Sequence, residues 1–592
     1  MKELSALNRY FVRYAGSMLF GVACIVLSNI VGVYVAVFVR QGLNDGLQNA
    51  RLFGDTRSAL MFELSLTTAF MFGVAIVLVA VFKGFLMYWM RQSIVVVSRK
   101  VEYDLKNDIY SHYQKLGLDF YRQNFTGDMM ARIGEDVSNV RMYVGPAVMY
   151  FANILFVFIT VISQMFMVNT QLTMIVLVPL PFLSWGIYKV SRIINERNTA
   201  IQTQLSALTT LAQETFAGIR VIKAFGAESR FGQEFNTAGK KYRFLNMRLA
   251  MVNSLFFPLM VLLVGLSSLL VLYIGGTEVS KGGFTPGNIA EFLIYLNMLI
   301  WPVASLGWTT ALVQKAAASQ KRINEFLQHP AANNDEGLGQ FELKKEISIK
   351  NLSFTYPGAQ QQMLKNLNLS IKAGTVLGIT GKTGSGKSTL AQLLMRQYEP
   401  DGGSIESDGI EFTQFSRTAF MRAMAYIPQD QFLFSDSIAQ NIAFGIENAE
   451  TDDETIRKAA LLAGLGRDIS QWPNGLETII GERGVSLSGG QKQRVCIARA
   501  LIRDAEMYVF DDCLSAVDAE TESEIIESFL DRLKGKTAVI ISHRITPLKL
   551  ADKIIVLEHG QIAEEGSFKE LISGNAYFAK MYQLQSAQVA QL

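Results

Sequence analysis

The chain has 592 residues and a formal net charge of +3; half of its residues are hydrophobic, 18% are charged, and only 3 are cysteines. A mean hydropathy of +0.22, with charge below the roughly 25% usual in soluble chains, requires part of the apolar content to face lipid. These values exclude general disorder and a disulfide scaffold, allow roughly three to five domains, and give no reason to expect a nucleic-acid partner.

The segment 2–13, with Arg9 and Arg13 among Leu, Tyr and Phe, reads as a short interfacial helix. Ala15 to Val39 is free of charge; at about 1.5 Å per residue it reaches roughly 37 Å, enough to cross a core of about 30 Å. A second span follows from Leu64, past Lys83, toward Met90. Met142 to Tyr188 carries no charge, is too long for one span, and breaks at Asn169-Thr170-Gln171. Two more apolar stretches, from Leu249 and from Phe292, complete the set, and Pro302 predicts a kink in the last. The expectation is a helical membrane domain over 1–327 with six spans at about 15–39, 64–90, 144–168, 172–190, 249–275 and 291–314.

Positive charge sets the orientation. Lys189 to Arg248 holds ten Lys/Arg against four Asp/Glu, whereas the joins at 169–171 and 278–287 hold almost none. The basic joins and both termini are therefore expected in the cytoplasm, in a multi-pass membrane protein. No Pro or Gly interrupts the chain between Gly84 and Gly117 or between Gly186 and Gly218, which predicts long helical stalks. All three cysteines, Cys24, Cys496 and Cys513, read as inert thiols.

Residues 328–340, rich in Asn, Gly, Asp and Pro, read as a linker. Beyond it, over 341–592, short β-rich runs at 347–349, 376–380, 507–510, 538–541 and 554–557 alternate with helical segments, the pattern of an α/β domain with a largely parallel sheet. The strand Val376–Thr380 leads into Gly381, Lys382, Thr383, Gly384, Ser385, Gly386, Lys387, Ser388 and Thr389, a phosphate loop opening a helix. Its glycines let backbone N–H groups approach phosphates, Lys387 matches β/γ-phosphate charge, and Ser388 suits Mg2+. An apolar strand, 507–510, ends in Asp511-Asp512, where a carboxylate can hold the metal shell.

At these residues the chain resembles the ABC ATPases. Leu487-Ser488-Gly489-Gly490-Gln491 is similar to their signature, Gln429 to their Q-loop glutamine, Asp518 to the D-loop aspartate and His543 to the switch histidine. Tyr356 stands where the family stacks an aromatic on adenine, and residues 481–484 resemble the exporter-specific X-loop. Residues 120–137 and 214–228 look like the two coupling regions of ABC exporters. The resemblance covers nearly the whole chain and implies a half-size exporter with ATP and Mg2+ as cofactors. Two chains would pair, each ATP lying between one chain's phosphate loop and the other's signature, so Ser488, Gly489, Gly490 and Gln491 would act on the partner's ATP.

One position departs from the family. Its carboxylate after the Mg2+ aspartate is usually Glu, and here it is Asp512. The shorter side chain draws the carboxylate back by about 1.5 Å, and a misplacement of about 1 Å can lower a rate on the order of 100-fold. The resemblance therefore implies a heterodimer in which this chain supplies a degenerate Walker B and an intact signature to a partner carrying Glu. Asp512, His543 and Gln429 remain the candidate catalytic residues, and Ser388, Gln429 and Asp511 the candidate metal ligands. The cargo expected is an amphiphilic drug or lipid, because aromatic and uncharged polar residues such as Phe20, Tyr34, Phe156, Asn29 and Asn153 mark the spans. The alternatives are a homodimeric lipid flippase and an ATP-gated channel or sensor of the same architecture.

Overall fold

The computed structural model describes residues 2–52, 59–331, 337–446, 452–481, 487–514, 522, 525–527 and 533–589. The backbone divides into two units, Met1–Gln114 with Thr126–His329, and Lys115–Phe125 with Pro330–Leu592. The main helices up to residue 327 are α1 (Ala15–Leu52), α2 (Ala59–Lys115), α3 (Leu118–Gln123), α4 (Val148–Val168), α5 (Pro179–Ala217), α6 (Glu228–Ser280) and α7 (Pro286–Leu327). Of these only α3 lies wholly in the second unit.

The first unit has no strand among the described residues. With neither Pro nor Gly after Gly84, α2 runs unbroken to Lys115, and α5 stops at Ala217, just before Gly218. Leu86, Met90, Ile94, Val97, Val101, Leu105 and Ile109 are buried; their spacing of three or four residues makes one continuous stripe. Asn169 leaves helical geometry at φ −161°, and its Oδ1 accepts the Leu172 N–H at 2.8 Å, so the polar break is a helix N-cap. α7 opens with a capping box between Thr285 and Asn288 and Pro286 in its first turn, then continues as helix through Pro302.

By length and composition, four described helical stretches are apolar enough to cross a membrane, namely Ala15–Gln48, Thr67–Lys115, Thr126–Val168 and Pro286–Leu327. Val264–Ser280 is apolar but shorter, and the expected span at 172–190 includes side chains outside the described set. Of the six spans expected from the sequence, four are thus found among the described residues. The expected interfacial helix is a 3-10 turn, Lys2–Leu7, followed by a helix, Asn8–Arg13. It is tied to α2 by Arg9 and Tyr10 on Asp108, at 2.6 and 2.7 Å, and by Arg13 and Tyr14 on Asp104, at 3.0 and 2.9 Å. Inside the helical unit Asn29 donates to Asn153 at 3.1 Å. Glu291, fully buried, accepts from Arg40 at 3.0 Å and from the Tyr295 hydroxyl at 2.9 Å.

Among the described residues the second unit carries ten strands: β1 (Glu346–Phe354), β2 (Leu364–Lys372), β3 (Val376–Gly381), β4 (Gly402–Ser407), β5 (Ile410–Glu411), β6 (Met424–Ile427), β7 (Met507–Asp511), β8 (Thr537–Ile541), β9 (Lys553–Glu558) and β10 (Gln561–Gly566). A four-stranded antiparallel sheet has the order β2-β1-β4-β5, so the run at 347–349 lies outside the parallel sheet. The six-stranded sheet has the order β10-β9-β3-β8-β7-β6 and is parallel except for β10. Alternation along its central strands sends residues to two cores. Tyr508, Phe510, Ala538 and Ile540 pack with helix α9 (Gly489–Leu501) in one. Val509, Val539, Ile541 and Ile379 pack with helix α8 (Lys387–Leu394) and the antiparallel sheet in the other.

Candidate nucleotide site

β3 lies between β8 and β9, and its carboxyl end opens into the phosphate loop. Gly381 turns there with φ +143°, and a Cβ at this point would stand 2.1 Å from the Leu557 carbonyl oxygen. Gly386, at φ +101°, is the cap of α8, where a Cβ would meet Leu364 at 2.6 Å. Only glycine fits either place. Lys387 is buried, and its Nζ donates to the carbonyls of Gly381 at 2.9 Å and Lys382 at 2.8 Å, so the ammonium is folded back over the loop. Burial lowers its pKa, while the charges of Asp512 and Asp511 oppose the shift. The Ser385 hydroxyl is buried in the same loop without a hydrogen-bond partner among the described residues. Lys382 reaches outward to Glu558 at 2.8 Å.

Two strands away, β7 delivers the acidic pair. Asp511 Oδ1 accepts from Ser388 Oγ at 3.0 Å. Burial pushes the Asp511 carboxyl up to about 6, with the Ser388 bond and the Lys387 charge acting against it. Tyr426, at the end of β6, also bonds Asp511, and burial and then the Asp511 charge push its hydroxyl above the ordinary range. Sequence reading missed Tyr426; its signal was the pairing of an apolar strand, 424–427, alongside the acidic one.

Asp512 adopts a left-handed backbone, φ +47°, with its N–H on the Ile541 carbonyl at 2.9 Å. Aspartate enters that region more readily than most residues. Burial lowers the His543 pKa, the Lys387 charge adds to this, and Asp512 opposes it, so Lys387, Asp512 and His543 share one electrostatic environment. Gln429 is exposed two residues beyond β6, whose Ile427 pairs with Phe510. It makes no hydrogen bond to Ser388 or Asp511 among the described residues, and so is not gathered into the cluster.

The Tyr356 hydroxyl lies 3.0 Å from Thr389 Oγ1 and donates to Gln392 Oε1 at 2.9 Å, which ties the ring to α8. Ser488 is the N-cap of α9 in a capping box with Gln491, and Gly489 and Gly490 form its first turn. Asp468 fixes this end of the helix, accepting from Gln491 Nε2 at 2.9 Å and Arg494 Nη2 at 2.7 Å. Asp518 and residues 482–484 of the X-loop lie outside the described residues.

The family model of the ABC transporter transmembrane region matches residues 18–303, and that of the ABC transporter matches 364–515. The chain belongs to the half-size ABC exporters. It is 34% identical over 585 residues to the probable multidrug resistance ABC transporter ATP-binding/permease protein YheI of Bacillus subtilis, covering 98% of this chain and 97% of the relative. It is 36% identical over 519 residues to the multidrug resistance-like ATP-binding protein MdlA of Escherichia coli, at 87% of each chain. It is 31% identical over 564 residues to an ATP-dependent lipid A-core flippase of Syntrophus aciditrophicus, at 95% and 91%. A solved bacterial Atm1-family ABC exporter with ATP bound shares the fold, with a TM-score of 0.78 and 24% identity over 98% and 99% of the chains. The exporter is thus a multi-pass membrane protein that binds ATP and uses it to drive transport, and like other half-transporters it works as a dimer.

Proposed function

We propose that the exporter moves amphiphilic drugs or lipids across the inner membrane as one half of a heterodimer, with its own ATP site degenerate and its signature completing the partner's site. The proposal takes the membrane part to have six spans, with both termini and the ATPase unit cytoplasmic. Residues 120–137 and 214–228 carry motion between ATPase and membrane parts. Asp512 carries the heterodimer reading, because a short carboxylate stands where the family places Glu, while Ser488 to Gln491 are intact.

In this reading the loop Gly381 to Gly386 wraps the phosphates with backbone N–H groups and the Ser385 hydroxyl. Lys387, now folded on two carbonyls, exchanges them for phosphate oxygens. Thr389 donates to phosphate and Tyr356 stacks on adenine. The residues present fit Mg2+, since Ser388 Oγ and Asp511 Oδ1 are two oxygen donors 3.0 Å apart, and this ion takes one or two protein oxygens and keeps phosphates and water for the rest. Bound there, it would neutralise charge on the β- and γ-phosphates. Gln429 approaches the same group from its exposed loop, and Asp518 lines the dimer interface. His543, kept neutral by burial and by Lys387, can hydrogen-bond the γ-phosphate. Asp512 holds the water poorly, so this site retains nucleotide more than it turns it over.

Charge in the expected spans is limited to Lys83, Lys189 and Glu291, and Glu291 is paired with Arg40, which suits an amphiphilic cargo. The test is to purify the tagged exporter from its native membrane and identify any co-purifying half-transporter by mass. The complex is then reconstituted, and ATP-dependent movement of a fluorescent amphiphile is measured. A stoichiometric second chain and ATP-dependent movement support the proposal; a homodimer with full activity overturns the heterodimer.

A further inference from the structure

The second unit includes a piece of chain from the membrane half. Lys115–Phe125, with helix α3, is grouped with the ATPase residues, although the chain on both sides of it belongs to the helical unit. Phe120 anchors α3 by burial, whereas Arg122 is exposed. The Arg122 guanidinium carbon lies 4.2 Å from the centroid of the Tyr356 ring, and Nη1 donates to the Tyr398 hydroxyl at 3.4 Å. Tyr356 also meets Phe354 and Tyr398 at 5.0 and 5.5 Å with ring planes near perpendicular, and all three join one core cluster. An exposed guanidinium on a half-buried ring must cover its solvent side, and at 4.2 Å it leaves no room for a second planar group on that face. The ring is held in place by its hydroxyl on Thr389 and Gln392.

We infer that Arg122 is an affinity-setting residue of the nucleotide site, which competes with adenine for the open face of Tyr356. Adenine can stack on that face only when the guanidinium leaves, and α3 is joined to α2 through Leu116 and Gly117. Base binding and the position of the first coupling region are therefore linked through one ring. The link concerns the base alone, because among the described residues the side-chain contacts of Arg122 are with Tyr356 and Tyr398. The inference rests on the assignment of Tyr356 to adenine.

The full complex is labelled with 8-azido-ATP, and label on this chain is resolved by electrophoresis. Competition by ATP reports base and phosphates together, and competition by inorganic tripolyphosphate reports phosphates alone. Arg122→Ala should strengthen ATP competition about two- to fivefold, the size of an exposed cation–π contact, and leave tripolyphosphate unchanged. Arg122→Lys, which keeps a cation over the ring, should return toward the parent, and the gain should vanish in a Tyr356→Ala background. If Tyr356→Ala weakens ATP but Arg122→Ala weakens it too, or changes nothing, the competition is wrong and the adenine assignment stands. If Tyr356→Ala leaves ATP competition unchanged, the adenine assignment fails and the inference falls with it.

Discussion

Ser388 Oγ donates a 3.0 Å hydrogen bond to Asp511 Oδ1, joining the first turn of the phosphate-loop helix to the end of β7. The bond spans 123 positions of sequence and is made by parallel strand order alone, since β8 separates β3 from β7. A hydroxyl and a carboxylate brought together in this way form the smallest protein part of a Mg2+ site.

Asp511→Asn keeps size and hydrogen bonding but removes the charge. Nucleotide affinity at this chain's site should then lose its dependence on Mg2+, while binding measured in EDTA stays near the parent value. Photolabelling of this chain with and without Mg2+ checks this. Retained Mg2+ dependence would place the ion elsewhere.

The signature helix depends on Asp468, which holds both Gln491 and Arg494 with side chains largely removed from solvent. Asp468→Ala would leave Arg494 buried without a counter-charge, a loss of about 3–5 kcal/mol. Thermal unfolding of the ATPase part should drop by several degrees, and turnover should fall with it, since the first turn of α9 loses its anchor. An unchanged melting temperature would show that the pair is not holding the helix.

In the helical unit Arg40 pairs with the fully buried Glu291, which also accepts from Tyr295. Glu291→Leu alone should destabilise by about 3 kcal/mol, because the Arg40 charge is stranded. Arg40→Met together with Glu291→Leu should recover most of that loss, which the midpoint of unfolding in detergent measures. Failure of the double variant to recover would assign the pair a role beyond mutual neutralisation.

Much of this was legible in the sequence because it is local. The charge-free run 15–39, the absence of Pro and Gly from 85 to 116, and the glycines of the phosphate loop each act within a few residues. The polar break at Asn169 was legible for the same reason, as a side chain capping its own helix. What depends on tertiary pairing was not. Tyr426 is joined to Asp511 by strand order, the run at 347–349 sits in the antiparallel rather than the parallel sheet, and Arg122 reaches Tyr356 across 234 positions. The six spans were read from apolar runs, but only four stretches combine such a run with a described helix of sufficient length.

The asymmetry of the two ATP sites is tested most directly by steady-state ATPase activity of the purified complex carrying Ser488→Arg or Asp512→Asn. Ser488 caps α9, and an arginine there would place bulk and charge against the partner's γ-phosphate. Its loss of capping alone, about 1 kcal/mol, is controlled for with Ser488→Ala. Asp512→Asn removes a carboxylate that is one methylene short of the family's glutamate. The account predicts that Ser488→Arg nearly abolishes turnover. It predicts that Asp512→Asn lowers turnover by less than about tenfold, against the 10²–10⁴ expected for a working base. If Asp512→Asn is as inactive as Ser488→Arg, Asp512 is a working catalytic residue, and the degenerate site and the heterodimer that rests on it are both contradicted.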